Sequence, residues 1–368
     1  MTSRQSQKGG DSSTNIQAGQ LVVNMGIDEK RAREIYQEMN LQLKKEYTHE
    51  ALNIAISRVE EFENSLMLKM NSVEGAMQAF ADPSFQLLLV DAQKAAAATE
   101  RAADYDLLSE LLVHRFKKGE NRTIRAGITR AVEIVDEISD EALLGLTVAH
   151  SVVTFFPKTG DINIGLDVLD SLFGKILYNK LPNGNDWLDH LDVLNAVRVN
   201  SFGGLKKINQ LYPERLSGYV DVGIKKNSDS YFQALEILRI NNLPNNLLIE
   251  HSLNDEFVRL PFSHKSQIQD TILIQEIIYD GLTHTVPVTL SPVQLQAITD
   301  VYDFYLNDAQ IKQNNINSFM EQWEKRENLR LLRSWWDSIN TSFQLTSVGK
   351  VLAHSNAQRC DNQLPPLN

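Results

Sequence analysis

Apolar residues recur at spacings of three and four over most of positions 28 to 156, which commits this part of the chain to packed amphipathic helices. Ile35, Met39 and Leu43 mark one stripe, and Leu52, Ile56, Val59 and Phe62 a second that Leu66, Met67 and Met70 extend. Thr48 stands where it can cap the second helix. Gly75 and the Asp82-Pro83 pair mark a stop and restart. Phe85 to Ala98 then ends in a run of alanines that allows close helix contact. Leu107, Leu108, Leu111 and Leu112 line the next helix, which Gly119 closes, and Ile124, Ile128, Val132 and Val135 line another. Ser139 caps a further helix, with Asp140 and Glu141 at its positive end. Within that helix, Leu143 to Phe156 is the longest weakly polar run. It falls short of the roughly 20 residues that cross a bilayer as a helix, so it reads as a buried core helix and no membrane partner is expected.

From 157 to 245 the segments PKTGD, LPNGND, FGG, YPERLSG and NNLPNN are turn signals between short helices. A boundary is expected near 241. Beyond it EFVRLPF and THTVPVTL read as strands, which Pro261 and Pro287 confine to short or edge positions. Helices are expected at Gln267 to Tyr279, Pro292 to Leu306 and Ile311 to Ile339. SFQL followed by a Thr346 cap and a helix bearing Val348 and Leu352 is similar to the L-T-x-x-G-x-x-L segment of winged-helix domains. The expected fold is mainly α: an N-terminal β-strand motif at 1–26, a helical bundle at 27–240, and a small α+β, winged-helix-like domain at 241–368.

Chemistry leaves a fainter trace. No G-x-x-x-x-G-K-[ST] loop, strand-borne G-x-G-x-x-G or G-x-S-x-G elbow occurs, and KTG at Lys158 to Gly160 has no S-x-x-K companion. SFGGLKK, at Ser201 to Lys207, reads as an interhelical turn. Asp186 and His190 stand four apart with Asp189 and Asp192 nearby, but two ligands do not make a metal site and no second histidine cluster follows. His150, on an apolar helix, reads as a hydrogen-bonded core residue. No catalytic residue, metal or cofactor is assigned, and the reading leans towards a non-enzymatic protein. Thirty-six basic against 47 acidic residues give a formal charge of -11, which disfavours whole-surface attraction to polyanions. A local exception is HRFKKGENRTIRAGITR, where Arg115, Lys117, Lys118, Arg122, Arg125 and Arg130 fall around one interhelical turn. Lys117, Lys118, Arg122 and Arg125 could hold an anion such as phosphate, though the favoured reading is that the lysines serve a helix end and the arginines pair with nearby carboxylates. The single cysteine, Cys360, fits a reducing cytoplasm.

Before the first helix, GGDSSTNIQAGQLVVNMG combines low charge with amide and β-branched side chains and no proline. Asn15 and Gln17 could form amide ladders while Ile16, Leu21, Val22 and Val23 supply dry contacts and Gly19 permits a tight turn. An unstructured terminus is the competing reading. QSQKGGDSSTNIQAG resembles the opening of an uncharacterised bacterial family, Q-x-x-GGD-x-STNIQAG, known by locus-type names. DLLSELLVHRF with ITRAVEIVDEISDEALLGLT resembles that family's helical middle, and LTSVGKVLAHSNAQR its C-terminus. Similar starts occur on proteins that look like phage-defence components, so the resemblance implies an antiviral role. IQAG is also similar to the core of RIP-homotypic-interaction motifs, although Ala18 stands where a larger aliphatic residue is usual.

These readings converge on a self-associating sensor or adaptor, oligomerising through Asn15 to Val23 and acting with a protein effector partner. The alternative is a nucleic-acid-binding regulator that uses the C-terminal domain, with Lys350 and Arg359 near phosphates.

Overall fold

The stripes become helices that pack against one another. In chain order they are α1 (Glu29–Asn40), α2 (His49–Asn71), α3 (Pro83–Ala98), α4 (Ala102–Lys118), α5 (Arg122–Glu133), α6 (Asp140–Thr154), α7 (Ile162–Ile176) and α8 (Asp186–Val193). The computed structural model describes residues 27–40, 47–200, 203–279 and 282–367. Asn15, Ile16, Gln17, Gly19, Leu21, Val22 and Val23 therefore lie outside the described residues. Caps follow the sequence at Ser139, whose hydroxyl accepts the Ala142 amide, and at Asp82, which accepts that of Phe85. Thr48 differs: it precedes α2 without a side-chain cap bond. The run expected to form a buried helix does so, with Ala142 to Val152 all buried in α6.

The second half continues with β1 (Val197–Asn200), α9 (Ile208–Arg215), α10 (Ser217–Val220), β2 (Ile224–Lys225), α11 (Asp229–Ile240), β3 (Ile249–Glu250), β4 (Phe257–Arg259), β5 (Ile272–Tyr279) and β6 (Leu282–Thr289). It ends with α12 (Pro292–Asp303), α13 (Ala309–Glu324), α14 (Glu327–Ser338), β7 (Ser342–Leu345) and α15 (Ser347–Cys360). The molecule is mainly helical with a few small antiparallel sheets: β2-β4-β3, the hairpin β5-β6, and β1 with β7.

Two expected helices are not formed as read. Residues 272–279 are a strand, registered against β6 from Ile272 opposite Thr289 to Tyr279 opposite Leu282. The β-branched run TILIQEII and the Asp280-Gly281 pair that follows it are the hairpin signals that outweigh a helical reading. The expected helix from Ile311 to Ile339 is split into α13 and α14, and the cause lies on another element. Asp170 of α7 accepts the Asn328 and Leu329 amides at 3.1 and 3.3 Å, capping α14 from a distance of more than 150 residues in sequence. Asp337 caps α9 in the same way, through the Ile208 amide at 2.9 Å.

The division of the core also departs from the expected boundary at 241. One large cluster runs from α1 to α10 and takes in Phe319, Trp323, Leu332 and Leu352 from the last three helices. A smaller one, from Ile224 to Val301, contains position 241 within its span. The segment read as winged-helix-like forms strand and capped helix as expected, with Thr346 accepting the Gly349 amide. Its surroundings are different. β7 pairs with β1, from the middle of the chain, and α15 packs against α4, α5 and α6 with Val351 to Ala357 buried. Gly349 explains the closeness: a Cβ there would stand 2.0 Å from the Ala196 carbonyl oxygen. Trp335 and Trp336 dock into the core, donating to the Pro182 and Lys206 carbonyls at 2.8 and 2.9 Å.

Candidate ligand-binding cleft

Where α6 ends against α15, a cavity of about 700 Å³ opens between segments far apart in sequence. Val153 and Phe155 come from the end of α6, Phe343 and Leu345 from β7, Trp336 from α14 and Leu367 from the C-terminal segment. These walls are apolar, whereas His150 and His354 form a polar floor. A neighbouring cavity of about 800 Å³ shares Thr154, Phe155 and Pro365 with the first, so the C-terminal segment runs between the two.

The histidines are held by a directional chain of hydrogen bonds. His354 Nε2 lies 2.9 Å from the Pro365 carbonyl oxygen, which can only accept, so this nitrogen carries the proton. His354 Nδ1 is then an acceptor, 3.2 Å from His150 Nε2, which donates to it. His150 Nδ1 faces the Thr154 hydroxyl at 3.3 Å. A third imidazole, His114 of α4, lies beside His354 with ring centroids 5.8 Å apart, bonded to Gln358 and to the Ser355 hydroxyl. Burial, with the neighbouring His354 and Lys350 adding to it, pushes His150 down to about 3. Burial, together with the nearby His114, likewise brings His354 down to about 4. His114 is lowered chiefly by burial. All three rings are neutral at ordinary pH.

The hydroxyl–imidazole–imidazole arrangement is formally that of a nucleophile with a base behind it. Its proton affinity argues otherwise, because a base held at about 3 is poorly matched to proton transfer near neutrality. The chain instead fixes the floor and anchors the tail, which Gln358 Nε2 also holds through the Leu364 and Pro365 carbonyls, both at 3.1 Å. Two lysines line the cleft. Lys206 is paired with Glu214 at 2.6 Å, while Lys350 has no carboxylate within salt-bridge distance among the described residues. Apolar walls, a neutral floor and a lysine without a carboxylate partner among the described residues suit a small amphipathic anion.

A protein-family model described as ":-like" matches residues 26–364, all but the ends of the chain. The chain belongs to that family. The family is uncharacterised, and no curated protein and no solved structure matches.

Of the other residues singled out from sequence, His190 accepts the Ser139 amide at 3.1 Å and so steadies the start of α6. Among the described residues no group of three or more His, Cys, Asp or Glu is placed to hold a metal, and no helix is long and apolar enough to cross a membrane. Lys206 and Lys207 of the SFGGLKK turn are engaged, the first with Glu214 and the second with the Asp337 carbonyl. Cys360 is the last residue of α15, half-buried against the core. Lys117 and Lys118 end α4. Arg122 and Arg125 share a pocket with Arg115 and Arg130 and not with the two lysines. Sequence spacing missed the pairing of His150 with His354, which are 204 residues apart. The available signal was a single histidine, His150, on the apolar α6; α15 carries Lys350, Asn356, Gln358 and Arg359 and does not mark His354 out.

Proposed function

We propose that this chain is a non-enzymatic sensor that binds a small amphipathic anion in the α6–α15 cleft and associates through Asn15 to Val23. The observation that supports it most is the cleft itself, apolar-walled, floored by neutral histidines and flanked by Lys350, which has no carboxylate partner among the described residues. The family match begins at residue 26, which supports treating the preceding segment as an attachment to the body. Identical segments from several chains would pair or stack and raise the local concentration of an effector protein. The resemblance of the N-terminal sequence to phage-defence components supports an antiviral role in a bacterial cytoplasm.

The nucleic-acid reading has less to rest on. Arg359 is spent on Asn356, at 2.8 Å, and on the face of the Tyr178 ring, and α15 is buried over most of its length.

Removing residues 1–26 tests the assembly half of the proposal. By light scattering, the full chain is expected to be a multimer and the truncated chain to have the mass of one protomer. A truncated chain with the oligomer mass intact would overturn the role of this segment.

A further inference from the structure

Four arginines converge where α5 meets the start of α3 and the end of α4. Arg115, Arg122, Arg125 and Arg130 line a pocket of about 480 Å³ together with Ser84 and Glu133. Such a gathering of like charge is unfavourable unless carboxylates are interleaved. Here the compensation is incomplete. Arg130 pairs with Glu133 at 2.8 Å, but among the described residues Arg115, Arg122 and Arg125 have no carboxylate within salt-bridge distance.

Arg115 is the most constrained of them. It is buried, its Nη2 donates to the Ser84 hydroxyl at 2.7 Å, and its guanidinium lies over Gly119, where a Cβ would stand 2.1 Å from Nη1. Asp82 acts on it only from beyond salt-bridge range, and burial together with the nearby Arg125 disfavours its charge. A fixed, desolvated guanidinium facing two uncommitted ones is a preorganised anion receptor, since the unfavourable charge is already in place before the ligand arrives. The first amides of α5 take no part, because the Asn121 side chain accepts from Thr123 and Ile124.

We infer that this pocket binds a compact anion carrying at least two phosphate groups, gripped by Arg115, Arg122 and Arg125. Three guanidiniums without a carboxylate partner among the described residues exceed what one phosphate needs, which selects for a linked pair. Among the described residues the lining contains no aromatic ring on which a base could stack, so recognition is of the phosphates themselves. Glu133 on the wall and the overall charge of -11 disfavour a long nucleic-acid backbone. This site is distinct from the α6–α15 cleft. The face of α5 opposite the arginines, with Gly127 and Ile128, is buried, and Gly127 lies close to Ser347 of α15.

Calorimetric titration of the full chain with inorganic pyrophosphate, ADP and orthophosphate tests the inference. Pyrophosphate and ADP are expected to bind alike, and orthophosphate at least about tenfold more weakly. Arg125→Gln and Arg122→Gln alter exposed or half-buried side chains, so both should melt like the parent while each weakens pyrophosphate by about tenfold or more. Arg115→Gln should abolish binding. No binding of pyrophosphate at millimolar concentration, or unchanged affinity in folded Arg122→Gln and Arg125→Gln, would overturn the inference. Tighter binding of a DNA oligonucleotide than of pyrophosphate would overturn the choice of a compact ligand.

Discussion

Arg259→Met is expected to destabilise the protein by about 2–4 kcal/mol, one of the largest effects of any single substitution considered. Arg259 ends β4 in the smaller core and is 1% exposed. Its guanidinium donates to the Gly218 and Leu260 carbonyls, both at 3.2 Å, and to Gly160, while stacking over Tyr219 at 5.7 Å. Gly160 and Gly218 belong to the segments that lead into α7 and form α10, so one side chain ties the smaller core to the larger. No carboxylate offsets its charge within salt-bridge distance among the described residues; burial disfavours the charged form and the nearby tyrosines and Asp161 only partly restore it. Methionine would relieve the buried charge but leave those carbonyls without their donor. Each unsatisfied buried group costs about 1–3 kcal/mol, so the loss outweighs the relief. The shift in the urea midpoint measures it, and a change below about 0.5 kcal/mol would show that the carbonyls are satisfied without Arg259. Arg259→Lys should fall close to methionine, because an ammonium cannot reproduce the planar fork.

Acid should weaken the fold before most carboxylates titrate. Burial holds His150 at about 3, and His354 and His251 at about 4, against 6.5 for a free imidazole, and His114 is lowered as well. The sign follows directly. Below 6.5 the unfolded chain binds protons that the folded chain refuses, so stability is fully present above about pH 6.5 and is lost as pH falls towards 4 and then 3. At pH 5.5 unfolding should take up about three protons, a slope of about 4 kcal/mol per pH unit. Urea unfolding at pH 7, 6, 5.5 and 5 measures that slope. His150→Phe should lower it by about one proton, whereas a midpoint independent of pH between 7 and 5 would mean that the histidines are not buried in the neutral form.

The helical layers were legible because α2 to α6 obey a period of three to four and carry their own caps at Asp82 and Ser139. What stayed hidden depends on contacts between distant residues. The break between α13 and α14 is set by Asp170 from α7, and no proline or glycine at Lys325 or Arg326 announces it. β5 was readable in principle, from its β-branched run and Asp280-Gly281, but its length invited a helix. The extended SFQL and the Thr346 cap were read correctly, yet nothing local shows that β7 would join β1 or that α15 would lie among α4, α5 and α6. The cleft was invisible for the same reason, since His150 and His354 meet only through that packing. The arginine pocket was largely legible: Arg115, Arg122, Arg125 and Arg130 all stand in the basic run, and helix phase leaves only Lys117 and Lys118 outside the lining.

The account turns on whether the α6–α15 cleft takes an amphipathic anion, and calorimetric titration of dodecanoate into the full chain asks this most directly. Saturable binding of one molecule per chain is expected, weakened by about tenfold in Lys350→Glu, where the charge beside the cleft is reversed. Absence of saturable binding, or equal affinity in a folded Lys350→Glu chain, would contradict it.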